Sequence, residues 1–395
     1  MSQDTLIPQV VEAIHAVTGG APAVLHEPSF SGSEWDFVKD CLDTGWVSSI
    51  GRYVDRFESD LASFTGSRHV IATVNGTAAL HVCLLLAGVK QDDEVLMPTL
   101  TFVATANAVH YCNAIPHFVD SSMVSLGVDP KKLTEYLADI VTPSSEGPRN
   151  RHTGRLLRAL VAMHVFGHPV DLDPLAEICA KYGIVLIEDA AESLGSSYKG
   201  RHTGLHGRLA SLSFNGNKII TTGGGGAVLT QDAELARRAK HLTTTARLAH
   251  RWSFVHDEVG YNYRMPNINA ALGCAQLERL PILLNTKRQL AQRYAQAFSS
   301  IQGVSFFNQP DYACSNYWLN AILLDRADTN WRDAVLEATN DAGFMTRPAW
   351  TLMHRLPMHA ACSSMNLDVA EQLEARLVNL PSSAKLGERQ EVVDA

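Results

Sequence analysis

What most limits the fold of this chain is a repeated alternation of short apolar runs with longer stretches of helical period. HVIATV (69–74), EVLMP (94–98), AIPHFVD (114–120), ALVAMHVF (159–166), IVLIED (184–189) and ASLSF (210–214) read as strands. Between them, TAALHVCLLLAGV (77–89) and DPLAEICAKYG (173–183) carry apolar residues at helical spacing. Strands that are apolar throughout need cover on both faces, so the pattern predicts an α/β fold with a mainly parallel sheet between helices. Sheets of that kind collect ligands at the carboxyl ends of their strands.

From about residue 266 the pattern changes to a long helical stretch with an internal Pro281, followed by shorter alternating segments. This predicts an N-terminal segment and large domain over 1–265 and a smaller C-terminal α/β domain over 266–395. A chain of 395 residues, 46% apolar, can bury both cores. TPSSEGPRNRHTGR (142–155) reads as a long surface loop and KLGERQEVVDA (385–395) as a weakly held tail.

Lys plus Arg number 33 against 41 Asp plus Glu, a net charge of −8, so no general attraction to nucleic acid or an anionic membrane is expected. An anionic substrate must then be met by a local basic pocket. The start MSQDTLIPQV lacks the features of a secretory signal, and no apolar run reaches the ~18 residues needed to span a bilayer. Seven cysteines without a CxxC pair suit reduced thiols, and the chain is expected to be cytoplasmic. His164 and His168 of MHVFGHP have no metal-type spacing, and no metal is expected.

The chemistry-bearing residues sit at the predicted strand ends. In NGTAAL (75–80), Gly76 and Thr77 would open a helix whose free N–H groups suit a phosphate, although an ordinary helix cap reads the same way. In IEDAAES (187–193), Asp189 and Glu192 follow an apolar run; such an Asp also serves as a cap or ion-pair partner. SFNGNKIITTGGGG (213–226) offers Ser213 and Lys218 before four glycines. Lys218 is either a surface lysine or an amine at the base of a cleft where glycines let backbone approach a ligand. Taken together, a phosphate cradle, a strand-end Asp and a cleft lysine match the needs of pyridoxal 5'-phosphate. Its aldehyde bonds to a lysine, and its ring nitrogen needs a carboxylate to stay protonated.

The collinear order NGTAAL, PTLTFVATANAV, HVFGHPVDLDPL, IEDAAESLGSSYKG, SFNGNK with TTGGGG, and GYNYRMPNINAALG resembles the DegT/DnrJ/EryC1/StrS family of sugar aminotransferases, over about residues 24–384. GWVSSIGRYVDRFE (45–58) and TRPAWTLMHRLPMH (346–359) look most like its LegC-like branch. The resemblance implies the fold type I, aspartate-aminotransferase-like architecture and pyridoxal phosphate as cofactor. It implies that Lys218 bonds to the cofactor and then shuttles the proton, with Asp189 at the ring nitrogen. Gly76, Thr77 and Ser213 would hold the phosphate, and Phe102 would stack on the ring. Glu192 would lie near the phenolic oxygen, where it must be protonated or turned away. Asn262 would reach the phosphate of the neighbouring subunit in a homodimer with shared sites.

The implied reaction moves the amino group of glutamate, leaving 2-oxoglutarate, to C4 of a nucleotide-linked 4-keto-6-deoxy sugar. The implied acceptor is of the UDP-4-keto-6-deoxy-GlcNAc type, for nonulosonic acid or another surface glycan. Arg247, Arg251 and Arg264 are candidates for its diphosphate. Two alternatives stay open. A lyase acting on an amino acid would use the same Lys218 and Asp189, whereas a non-catalytic sugar-binding protein would be expected to have lost one of them.

Overall fold

The computed structural model describes residues 3–388. Its central sheet has seven strands: β1 (His69–Thr73), β2 (Glu94–Pro98), β3 (Ile115–Val119), β4 (Leu157–Met163), β5 (Val185–Asp189), β6 (Leu209–Ser213) and β7 (Gly226–Thr230). They run in the order β1-β7-β6-β5-β4-β2-β3. β6, β5, β4, β2 and β3 are parallel neighbours, and β7 lies antiparallel between β1 and β6. The six runs read from the sequence account for six of these strands. β7 escaped that reading because it continues directly from the glycine run, and all five of its residues are buried, leaving no alternation to mark it.

The main helices are α1 (Gln3–Thr18), α2 (Glu34–Thr44), α3 (Arg52–Thr65), α4 (Gly76–Leu86), α5 (Val103–Tyr111), α6 (Pro130–Ile140), α7 (Leu172–Tyr182), α8 (Ala233–Thr243), α9 (Asn267–Phe298) and α10 (Thr329–Asp341). Leu80, Cys83, Val109 and Ala239, from α4, α5 and α8, share a core with Ile71, Val95 and Val228 of the sheet. The other face is covered near β1 and β6 by α3 and the first half of α9, through Phe57, Leu61, Ala270 and Cys274. α6 and α7 cover it near β2 and β4, through Leu133, Leu137 and Leu175. Burial on both faces explains why the strands read as continuous apolar runs.

A second, antiparallel sheet is built from β8 (Val304–Phe306), β9 (Asn320–Leu324), β10 (Arg347–Pro348) and β11 (Leu377–Leu380), in the order β8-β9-β11-β10. Its core takes Leu290 and Tyr294 from the far half of α9 and Leu6, Val10 and Ile14 from α1. We propose that the chain divides near residue 266, where α9 begins, with α1 as the part of the N-terminal segment that crosses to the smaller unit.

Residues 142–155 are more ordered than a surface loop. Val141–Thr142 pairs with Arg149–Asn150 as a hairpin, Asn150 Nδ2 donates to Glu94 Oε2 at 2.8 Å, and Thr153 Oγ1 donates to Glu94 Oε1 at 2.6 Å. Glu94 is fully buried, and a buried carboxylate needs such donors. Of the expected tail, Lys385–Glu388 forms a helical turn with Leu386 buried; residues 389–395 lie outside the described residues. No helix among the described residues is long and apolar enough to cross a membrane. All seven cysteines are free thiols.

Candidate active site

β1, β5 and β6 bring their carboxyl ends to one edge of the sheet, and a cavity of about 300 Å3 opens there. Asn75 ends the β1 turn and caps α4, its Oδ1 accepting from Ala78 N at 2.7 Å. The N–H groups of Gly76 and Thr77 follow in the first turn, where helix geometry gives them no acceptor of their own. A side chain at Gly76 would place its Cβ 2.8 Å from Ser213 Cβ, so glycine is what lets this helix end meet the end of β6. Gly226 has the same kind of role beneath it, since a Cβ there would lie 2.4 Å from Asn75 O. The glycine run therefore packs directly beneath the N-terminal end of α4, whose free N–H groups are of the kind that suit an anion.

Asp189 ends β5 and is buried. Thr105 Oγ1 donates to its Oδ2 at 2.9 Å, and Ala191 N donates to its Oδ1 at 3.3 Å. Lys218 lies on a tight turn, with its N–H on Asn215 O at 3.0 Å. Its Nζ donates to Glu192 Oε1 at 3.1 Å and sits 3.8 Å from the centre of the Trp318 ring. The other oxygen of Glu192 accepts from Phe166 N at 2.9 Å. Phe166 can present that N–H because it occupies the left-handed region, with φ of 54°, in the HVFGHP turn. Burial pushes the Glu192 carboxyl up to about 7, against the pull of Lys218.

Seven of the residues predicted for the cofactor, Gly76, Thr77, Phe102, Asp189, Glu192, Ser213 and Lys218, line this one cavity. Asn262 does not; it is exposed on a strand-like bridge to Thr244. Nor does it cap α9, whose N-cap is Pro266 with no side-chain cap bond.

Residues 29–395 match the DegT/DnrJ/EryC1/StrS aminotransferase family. The chain belongs to that family. It is 35% identical over 364 residues to GDP-perosamine synthase of Caulobacter vibrioides, covering 91% of this chain and 93% of the relative. It is 36% identical over 366 residues to GDP-perosamine synthase of Escherichia coli O157:H7, covering 93% and 94%. Among solved structures, DesI in the presence of its TDP-sugar product superposes with a TM-score of 0.80 at 28% identity, covering 93% of this chain and 91% of that one. The protein is a pyridoxal phosphate-dependent nucleotide-sugar aminotransferase with the α/β architecture of fold type I. This removes the non-catalytic alternative.

The cavity fits the family's cofactor on its own terms. It offers a helix end closed to any side chain at Gly76, the hydroxyls of Thr77 and Ser213, a buried carboxylate and an amine. Arg264 is corrected: it is buried, pairs with Glu58 Oε1 at 2.7 Å and donates to Ala72 O, so it holds α3 to β1 and is not available to a diphosphate. His164 is a structural histidine on Glu188 at 3.0 Å, and His168 is packed between Phe307 and Tyr317. Sequence reasoning missed Thr105, Trp318 and Trp350 as cavity residues. Trp350 lies in the quoted TRPAW segment, but the face it presents could not be read from the segment alone.

Proposed function

We propose that the enzyme transfers the amino group of glutamate to C4 of a nucleotide-linked 4-keto-6-deoxy sugar. The observation that supports this reading is the meeting of Lys218 and Asp189 in one cavity with the glycine-built end of α4. Pyridoxal phosphate supplies the electron sink and carries the amino group between donor and acceptor. Asp189 Oδ would hold the proton on its ring nitrogen, and Gly76, Thr77 and Ser213 its phosphate. Phe102 would cover the ring. Lys218 Nζ would take the proton from the donor carbon and return one at sugar C4.

Lys218 is the one basic side chain that lines the cavity, among the described residues. Arg247 and Arg251 are exposed, have no carboxylate partner among the described residues, and lie on Phe254 and Trp252 at 4.4 and 5.7 Å. We assign them to the diphosphate. Because they and Asn262 stand away from their own cavity, the proposal includes a homodimer in which each chain completes the partner's site. The free thiols fit a cytoplasmic enzyme working ahead of surface-glycan assembly.

The LegC-like segments favour a UDP-linked 2-acetamido acceptor in nonulosonic acid synthesis, and the names of the curated relatives favour GDP. UDP-, GDP- and dTDP-linked 4-keto-6-deoxy sugars, each supplied with glutamate, should yield 2-oxoglutarate with one preferred carrier. Turnover of none of these 4-keto-6-deoxy sugars, with amino transfer from glutamate to a different nucleotide-linked keto sugar, would overturn the proposal.

A further inference from the structure

Trp318 comes from the segment that enters β9, far from Lys218 in sequence, yet it is 4% exposed and its indole forms a wall of the cavity. Three contacts fix it. The indole Nε1 donates to Asn217 O at 2.7 Å, next to the lysine. The backbone N–H donates to Asn316 Oδ1 at 2.8 Å, and the carbonyl accepts from Lys287 Nζ at 3.1 Å. Lys287 is wholly buried in α9 and also donates to Ser382 O, an expensive placement that ties two carbonyls of the smaller unit to the helix.

The same segment also reaches the other partner of Lys218. Asn316 Nδ2 donates to Glu192 O at 2.8 Å and Leu194 O at 2.9 Å. A side chain on Gly167 would place its Cβ 1.9 Å from Asn316 Oδ1, so the HVFGHP turn is shaped to admit this asparagine. Asn316 and Trp318 thus fix both surfaces that the amine touches, a carboxyl oxygen on one side and an aromatic face on the other.

We propose that Trp318 is a positioning residue for transamination, its indole and Glu192 together forming the seat that the Lys218 amine occupies whenever it is not bonded to the cofactor. An aromatic face 3.8 Å from Nζ, with Glu192 Oε1 at 3.1 Å on the other side, attracts the amine and restricts where the chain can swing. The amine is thereby kept beside the reacting carbon, ready to return the proton. This rests on Lys218 being the proton carrier. The other titratable groups around the seat are Glu192 and Asp189 on the cavity side and His26 and Lys287 behind the indole.

The test is acetylation of Lys218 by acetic anhydride on the full chain without added cofactor, followed by peptide mass spectrometry at one pH, with the exposed Lys131 as internal reference. Trp318→Leu removes the aromatic wall and should raise labelling of Lys218 relative to Lys131 by about two- to tenfold. Trp318→Phe keeps a ring but loses the Nε1–H that fixes the indole on Asn217 O, and should fall between Trp318→Leu and wild type. Glu192→Gln takes the charge from the other wall without opening space, so it too should raise labelling. A rise in Trp318→Leu with none in Trp318→Phe and Glu192→Gln reports access alone and overturns the proposal, as does wild-type labelling in all three. Trp318→Phe and Glu192→Gln keep the test decisive even where Trp318→Leu fails to fold. A parallel arm adds pyridoxal phosphate and borohydride to wild type. Absence of a fixed adduct on Lys218 removes both the lysine's role and its seat, whereas an intact adduct with unchanged labelling removes the seat alone.

Discussion

Glu192 and Lys218 form a pair in which the buried carboxyl is held from both sides, by the partly buried Lys218 Nζ at 3.1 Å on Oε1 and by Phe166 N at 2.9 Å on Oε2. Burial is the larger influence on this carboxyl and raises it to about 7. The folded chain therefore binds a proton between about pH 4.3 and 7 that the unfolded chain has released. The stability this contributes is complete below that window and is lost as pH rises through it. Glu192→Gln keeps the shape and loses the titration. Its unfolding free energy in urea, relative to wild type, should improve by about 1 to 3 kcal/mol between pH 4.5 and 7.5. A difference that does not change with pH would mean that the carboxyl is ionised throughout.

Asp189→Asn should leave the fold intact, because an amide can still meet Thr105 Oγ1 and Ala191 N. It removes the charge that would hold a proton on the cofactor's ring nitrogen, so the electron sink weakens. Turnover should fall by several orders of magnitude while cofactor affinity falls much less. Absorbance titration and steady-state rates separate the two, and near-normal turnover would assign the ring nitrogen to another residue.

Gly76→Ala tests the cradle. The new Cβ would lie 2.8 Å from Ser213 Cβ, and real Cβ contacts do not come that close, so α4 or β6 must shift. Affinity for pyridoxal phosphate should drop by about tenfold, roughly 1.4 kcal/mol. Ser213→Gly removes the atom struck and, in the double variant, should recover part of the loss, at the cost of one hydroxyl. A double variant as weak as the sum of the singles would show that the contact is not the cause.

Most of what positions this site was legible in the sequence because strands buried on both faces advertise themselves, and the residues after them mark the ligand edge. Asp189, Ser213 and Gly76 could be placed by that rule alone. β7 was not legible, since a glycine-led run of five buried residues has no period. Arg264 misled because a lone arginine beside the GYNY motif looks available until Glu58, some 200 residues earlier, is folded onto it. Trp318 was invisible for the same reason: its partner Asn217 lies 101 residues earlier and is brought near only by the fold.

Lys287 gives a prediction of opposite sign to Glu192. Burial lowers its ammonium group to about 7, so the unfolded chain binds a proton between pH 7 and about 10.4 that the folded chain lacks. Stability therefore rises with pH across that window. Relative to Lys287→Met, the unfolding free energy of wild type should grow by about 1.4 kcal/mol per pH unit from pH 7.5 to 9.5. A flat difference would mean that the lysine stays charged on its two carbonyls.

The shared site can be tested without a structure of the assembly. Asn262 is exposed, absent from its own cavity and not a cap for α9, and the same stretch carries Trp252 and Phe254, 72% and 74% exposed. In a two-fold dimer the same patch occurs on both chains, so each Asn262 would serve the partner's Lys218. Lys218→Ala and Asn262→Ala chains, each folded and inactive alone, are mixed under conditions that exchange subunits. If Asn262 acts across the interface, every mixed dimer has one doubly damaged site and one intact site, and random pairing restores about a quarter of wild-type activity. If it acts within its own chain, every site keeps one lesion. Demonstrated exchange with no recovery would therefore exclude the shared site.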